Sequence, residues 1–112
     1  MRRAGGLLLL GAVWCAAWAC GPARRGELFN RPLRLTAEEL DGQKLFMREC
    51  NQCHPAGAAG LGPAINNKPL PGVAMRTQIR LGAGAMPAFK EDALKDAEVD
   101  AIVAYLNKLQ QE

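Results

Sequence analysis

Residues 50–54 read CNQCH, and the histidine in that stretch is the chain's only one. Two cysteines three positions apart, followed at once by a histidine, admit three chemistries: a redox dithiol, half of a zinc site, or a point of covalent haem attachment. Each requires a different protein around it. The rest of the chain must therefore supply what one of them needs.

Structural zinc takes four protein ligands, usually Cys and His. Apart from Cys50, Cys53 and His54, the chain beyond its leader offers only Cys20, and adjacent Cys53 and His54 are badly placed to share one tetrahedral ion. A thioredoxin-like dithiol sits at the start of a helix after a strand, where the helix dipole lowers a thiol pKa. Here the pair ends a helical pattern and no strand pattern precedes it. Haem meets neither objection: two thiols on one face can add to the two porphyrin vinyl groups, and the next residue reaches the iron from the same side.

Size points the same way. The chain has 112 residues, 49% of them apolar and 22% charged, enough for one small domain. Both tryptophans, Trp14 and Trp18, fall in the N-terminal leader. Domains below ~80 residues generally need a disulfide, a metal or another staple. One covalent haem c is expected to fill that need as the largest apolar group in the core.

The leader, MRRAGGLLLLGAVWCAAWAC, has two arginines, an apolar run from Leu7 to Ala19 and small residues before Cys20. It reads as an export signal over residues 1–19, since the apolar run is shorter than the ~20 residues of a spanning helix. Alanine then cysteine resembles the lipobox of bacterial lipoproteins, which makes Cys20 the expected lipidation site and mature N-terminus. Cleavage by ordinary signal peptidase after Ala19 also fits the residues. Residues 20–35, with two prolines, two glycines and four arginines between 21 and 35, read as a flexible tether reaching at most ~50 Å. The folded domain is expected over 36–112, on the extracytoplasmic face of a membrane or in the periplasm.

Without Arg2 and Arg3, the 14 basic residues fall to 12 against 11 acids. That balance gives no reason to expect a nucleic-acid partner. Residues 43–90 hold six basic residues and one acid, whereas 91–112 hold six acids and two lysines. A basic region around CNQCH suits an acidic partner surface, although a solvated helix face has the same composition.

Thr36 and Glu39 make a T-x-x-E capping box, after which Gly42, Phe46, Cys50 and Cys53 share one helical stripe. The spacing predicts a helix that delivers both cysteines from its last turn. Residues 54–72 read as irregular loop, 73–81 as a short helix stopped by Gly82. A last helix is expected from Asp96, as N-cap, to Leu109, with Val99, Ile102, Val103, Leu106 and Leu109 on its apolar face. No stretch keeps the alternation of a strand.

With His54 on one side of the iron, a strong opposite ligand must be something other than histidine, which leaves Met ahead of Lys. Met1 is in the leader, Met47 lies on the helix before His54 and on the wrong side, and Met75 reads as packing. Met86, in GAGAMPAF between flexible glycines and Pro87, is the expected sixth ligand.

Four segments in this order, GQKLF (42–46) before CNQCH, GLGPAI (60–65), IRLGAGAMPAF (79–89) and IVAYL (102–106), make the chain similar to the class I cytochromes c of the small bacterial kind. The resemblance implies an all-α fold of three to four helices around one covalent haem. It implies that the first and last helices cross near Gly42, with Phe46 against Tyr105, and that the Pro63 carbonyl orients His54. Many relatives place a Trp beside a haem propionate; here Arg80, Asn66 and Asn67 are the alternatives, and a solvated Arg80 fits equally.

The expected function is one-electron transfer, not enzyme catalysis. His/Met ligation raises the reduction potential, which suits a quinol-oxidising complex as donor and a terminal oxidase or photosynthetic reaction centre as acceptor. A lipid tether would raise the local concentration of membrane partners. A monomeric shuttle and a fixed haem subunit of a larger oxidoreductase complex both fit. A haem-based redox or ligand sensor would need a labile sixth position, and a bacterial peroxidase a second haem motif.

Overall fold

The computed structural model describes residues 32–111. The export signal, Cys20 and most of the tether lie outside them. Within the described residues the chain is helical: α1 (Ala37–Glu49), a 3-10 turn (Pro55–Gly57), α2 (Gly72–Leu81) and α3 (Asp96–Gln111). The only extended pairing among these residues is an isolated antiparallel bridge between Ala83 and Met86.

The capping box sets where α1 begins. Thr36 Oγ1 accepts from the Glu39 backbone N–H at 3.3 Å, and the Glu39 carboxylate accepts from the Thr36 N–H at 2.7 Å, so two of the orphan donors at the helix start are satisfied. Gly42 and Phe46 form the buried face. A Cβ on Gly42 would lie 1.9 Å from the Ala101 carbonyl oxygen in α3, and that contact is the crossing of the first and last helices. Only a residue without a side chain lets two helix backbones come this close.

Phe46, Met75, Ile79, Leu94, Val99, Ile102, Tyr105, Leu106 and Leu109 make the core. The apolar period of α3 supplies four of them, Val99, Ile102, Leu106 and Leu109, with Tyr105 as a fifth from the same helix and Val103 only partly buried beside them. α1 packs most extensively on α3, with α2 laid against α3 beside it.

Two boundaries differ from the sequence reading. Asp96 is not the cap of α3 but its first helical residue, and the Lys95 N–H is taken by the Glu98 carboxylate at 2.8 Å. Asp96 instead faces α2, where its carboxylate takes Arg80 at 2.5 Å and Arg76 at 3.8 Å. The helix end before CNQCH also comes earlier than expected. Cys50 is the C-cap of α1 and Cys53 lies in the turn beyond it, because the regular ladder breaks at Asn51, whose N–H donates five residues back to the Phe46 carbonyl (3.0 Å) that Cys50 N–H also uses (2.8 Å).

α2 spans the expected stretch with one residue more at its start. It stops at Gly82, whose φ of 68° is left-handed, a conformation glycine adopts without steric cost.

Candidate haem site

The CNQCH turn is held by its own side chains. Asn51 Oδ1 accepts from the Ala56 N–H at 2.8 Å, which fixes the chain where Ala56 takes a left-handed φ of 50°. Further on, the Gly62 N–H donates to the Cys53 carbonyl at 2.8 Å and brings the 60–63 backbone against the histidine. The loop expected over 54–72 is therefore ordered at its start by a 3-10 turn.

His54 is buried, with 8% of its surface exposed. Its Nδ1 lies 2.9 Å from the Pro63 carbonyl oxygen. A carbonyl only accepts, so the hydrogen must be on Nδ1, and the lone pair of the neutral ring is left on Nε2. Close packing fixes the ring plane as well: a Cβ on Gly62 would fall 2.3 Å from His54 Cε1 and 2.8 Å from either ring nitrogen.

Cys50 and Cys53 are free thiols, each partly exposed. Burial pushes the Cys50 thiol up to about 11, helped by the negative charge of Glu49 and by Cys53. Such a thiol stays protonated near neutrality and is a poor spontaneous nucleophile. Among the described residues, no three His, Cys, Asp or Glu side chains gather into a metal-ion cluster, as a zinc site of protein ligands requires.

Met86 comes from a separate segment. The loop leaves α2 at Gly82, turns back on itself through the Ala83–Met86 pair (3.1 and 2.9 Å) and rejoins α2 where the Phe89 N–H donates to the Ile79 carbonyl at 2.9 Å. Met86 is partly buried and packs on the same core as Cys50, while Gln78 Nε2 lies 3.7 Å from its sulfur. Met75 is 5% exposed inside the core and Met47 is 49% exposed on α1. The sequence reading of Met75 as packing agrees with this placement.

Cys50, Cys53, His54 and Pro63 thus come together at one locus, with Met86 on an independently braced loop. A histidine with its Nδ1 hydrogen engaged and its Nε2 lone pair available, beside two unpaired thiols, fits a covalent haem. Arg80 does not behave as a free propionate partner: Nη1 donates to the carbonyls of Phe89 (3.0 Å) and Leu94 (2.6 Å), and Nη2 to Asp96. The roles of Asn51, Gly62, Gln78 and Arg80 were not read from the sequence. For Gly62, its place between the histidine and Pro63 was the available signal.

A family model described as cytochrome c oxidase, cbb3-type, subunit III matches residues 37–106. Cytochrome c6 of Bryopsis maxima is 39% identical over 77 residues, a match covering 60% of this chain and 86% of that protein. The cytochrome c subunit of 4-cresol dehydrogenase (hydroxylating) from Pseudomonas putida is 31% identical over 68 residues, covering 61% of this chain and 59% of that protein. No solved structure gives a significant match.

Proposed function

This chain belongs to the class I c-type cytochromes, electron-transfer proteins with covalent haem c, and on that premise we propose that Cys50 and Cys53 form the thioethers while His54 and Met86 are the axial ligands. The hydrogen bond from His54 Nδ1 to Pro63 carries the reading. It selects the tautomer in which Nε2 can ligate, and it makes the imidazole a more basic ligand. Haem c, once attached, supplies one-electron cycling between Fe(II) and Fe(III).

The chain's own groups do the rest. Pro63 and Gly62 hold the histidine ring, the helix crossing closes the core, and the braced loop carries the Met86 sulfur. A methionine–histidine pair favours the reduced state relative to many other ligand sets, which supports a role on the oxidising side of a quinol-oxidising complex, passing electrons to a terminal oxidase or photosynthetic reaction centre. The Pseudomonas relative is named as a subunit of a dehydrogenase; that favours a second reading, a fixed haem subunit of a larger oxidoreductase.

No helix among the described residues is long and apolar enough to cross a membrane. The signal-like residues 1–19 and the alanine–cysteine step at Cys20 support export with a lipid on Cys20, residues 20–35 serving as tether to a domain over 36–112. Acyl chains on Cys20 would hold that domain at the membrane surface.

Absorption spectra test the ligand set. The oxidised protein should show the weak sulfur-to-iron band in the far red, and Met86→Ala should abolish it; a five-coordinate wild type would overturn the reading. Mass spectrometry of the mature N-terminus tests the anchor, which an unmodified Cys20 would refute.

A further inference from the structure

We infer that Arg80 is a positioning residue that governs how firmly the Met86 loop is held closed. The inference rests on the reading of Met86 as axial ligand.

Arg80 stands in the last turn of α2, one residue past Ile79, whose carbonyl closes the loop by accepting from Phe89. Its side chain is only 20% exposed. From there the guanidinium crosses to the returning limb: Nη1 donates to Phe89 O and Leu94 O, and Nη2 meets Asp96 at the start of α3. One side chain thus ties the outgoing helix, the returning limb and the next helix together. Its planar fork is suited to holding several acceptors at once, which a lysine ammonium on a flexible stem does poorly.

Both carbonyls depend on it. Among the described residues neither Phe89 O nor Leu94 O receives another hydrogen bond, and Leu94 is 1% exposed. Losing a charged donor leaves the buried Leu94 carbonyl unsatisfied, a larger effect than losing a surface ion pair. The penalty falls on the limb that Met86 needs in place.

The neighbouring Arg76 makes the comparison possible. It pairs with Asp100 and, at 3.8 Å, with the same Asp96, but it makes no hydrogen bond to the 82–95 segment. Removing it takes charge from the same network while leaving the loop's hydrogen bonds intact.

The test is imidazole binding to the oxidised, haem-loaded full chain, followed by loss of the sulfur-to-iron band as imidazole displaces the sulfur. Loop opening and exogenous ligand binding are linked, so Arg80→Gln should bind imidazole roughly ten-fold or more tightly than wild type. Arg76→Gln should bind as wild type does. Arg80→Lys, which keeps the charge but not the fork, should fall between them and serves if Arg80→Gln does not accumulate folded. Wild-type affinity in the Arg80 variants, or equal tightening in Arg76→Gln, overturns the inference. If Met86→Ala keeps the band, the ligand assignment fails and the Arg80 inference with it; if Met86→Ala loses the band and the Arg80 variants bind as wild type, the Arg80 inference alone fails.

Discussion

The rings of Phe46 on α1 and Tyr105 on α3 meet with centroids 5.5 Å apart and planes inclined by 55°. Phe46 is fully buried and Tyr105 is 4% exposed, so this tilted contact sits inside the helix crossing, within the range where aromatic pairs attract beyond simple burial.

Tyr105 gives the crossing a pH dependence. Burial holds its phenol above the ordinary value of 10.0, with a Gln43 hydrogen bond opposing the shift. The folded chain therefore keeps that proton to higher pH than the unfolded chain. Where the unfolded chain binds fewer protons, stability falls as pH rises. The denaturation midpoint should drop from about pH 10 upward, and Tyr105→Phe should show a smaller drop. The chain has a single tyrosine, so the difference between the two curves belongs to this residue.

Gly42→Ala sets two effects against each other. Alanine is the better helix former by ~1 kcal/mol, but the new methyl group would meet the Ala101 carbonyl at 1.9 Å. The methyl has no rotamer to adopt and the group it meets is backbone, so no side-chain rotation relieves it. A net loss of about 3 kcal/mol is expected, since overpacking dominates when the helices must separate. Guanidinium denaturation of the haem-loaded protein measures it; a gain in stability would contradict the close crossing.

Gly62→Ala should act on the iron site with less effect on the fold. The methyl would crowd the His54 ring at 2.3 Å and turn it away from the Pro63 carbonyl. A histidine without that hydrogen bond is a weaker electron donor, which favours reduction of the iron. The potential should rise by an amount on the order of 40 mV, corresponding to a change of roughly 1 kcal/mol. Voltammetry of the two proteins decides, and an unchanged or lower potential would count against the proposed ligand orientation.

At the helix start, geometry ranks two exposed interactions. Thr36→Ala removes one limb of the capping box and should cost about 1 kcal/mol. Lys44→Ala breaks the 3.0 Å pair with Asp41, both partners 66% exposed, and should cost at most about 0.5 kcal/mol. Thermal melts of the two variants should fall in that order.

Much of this was legible in local patterns because local physics decided it. The capping box marked the start of α1, Gly82 the stop of α2, and the apolar period the face of α3. The single histidine calls for a different residue opposite it, and Met86 is the one proposed. What stayed hidden depended on distant pairings or on residues without compositional marks. Ala56 in a left-handed conformation looks like any alanine in sequence, and its support from Asn51 is visible only in three dimensions. Arg80 and Asp96 are 16 positions apart; their sequence neighbourhoods suggested a solvated or propionate-binding cation and a helix cap. The fold spent both on the loop between them.

The crossing of α1 and α3 also has a consequence in time. Gly42 and Ala101 lie about 60 positions apart in the chain, and contacts that distant form only after a large loop closes. During synthesis α1 is complete long before its partner exists. For that interval Phe46 has no aromatic neighbour, and Cys50, the cap of α1, has no complete core to pack against. With Cys50 as the proposed thioether, the thiol is reached more readily before the last helix docks, so modification first and closure second is the expected order.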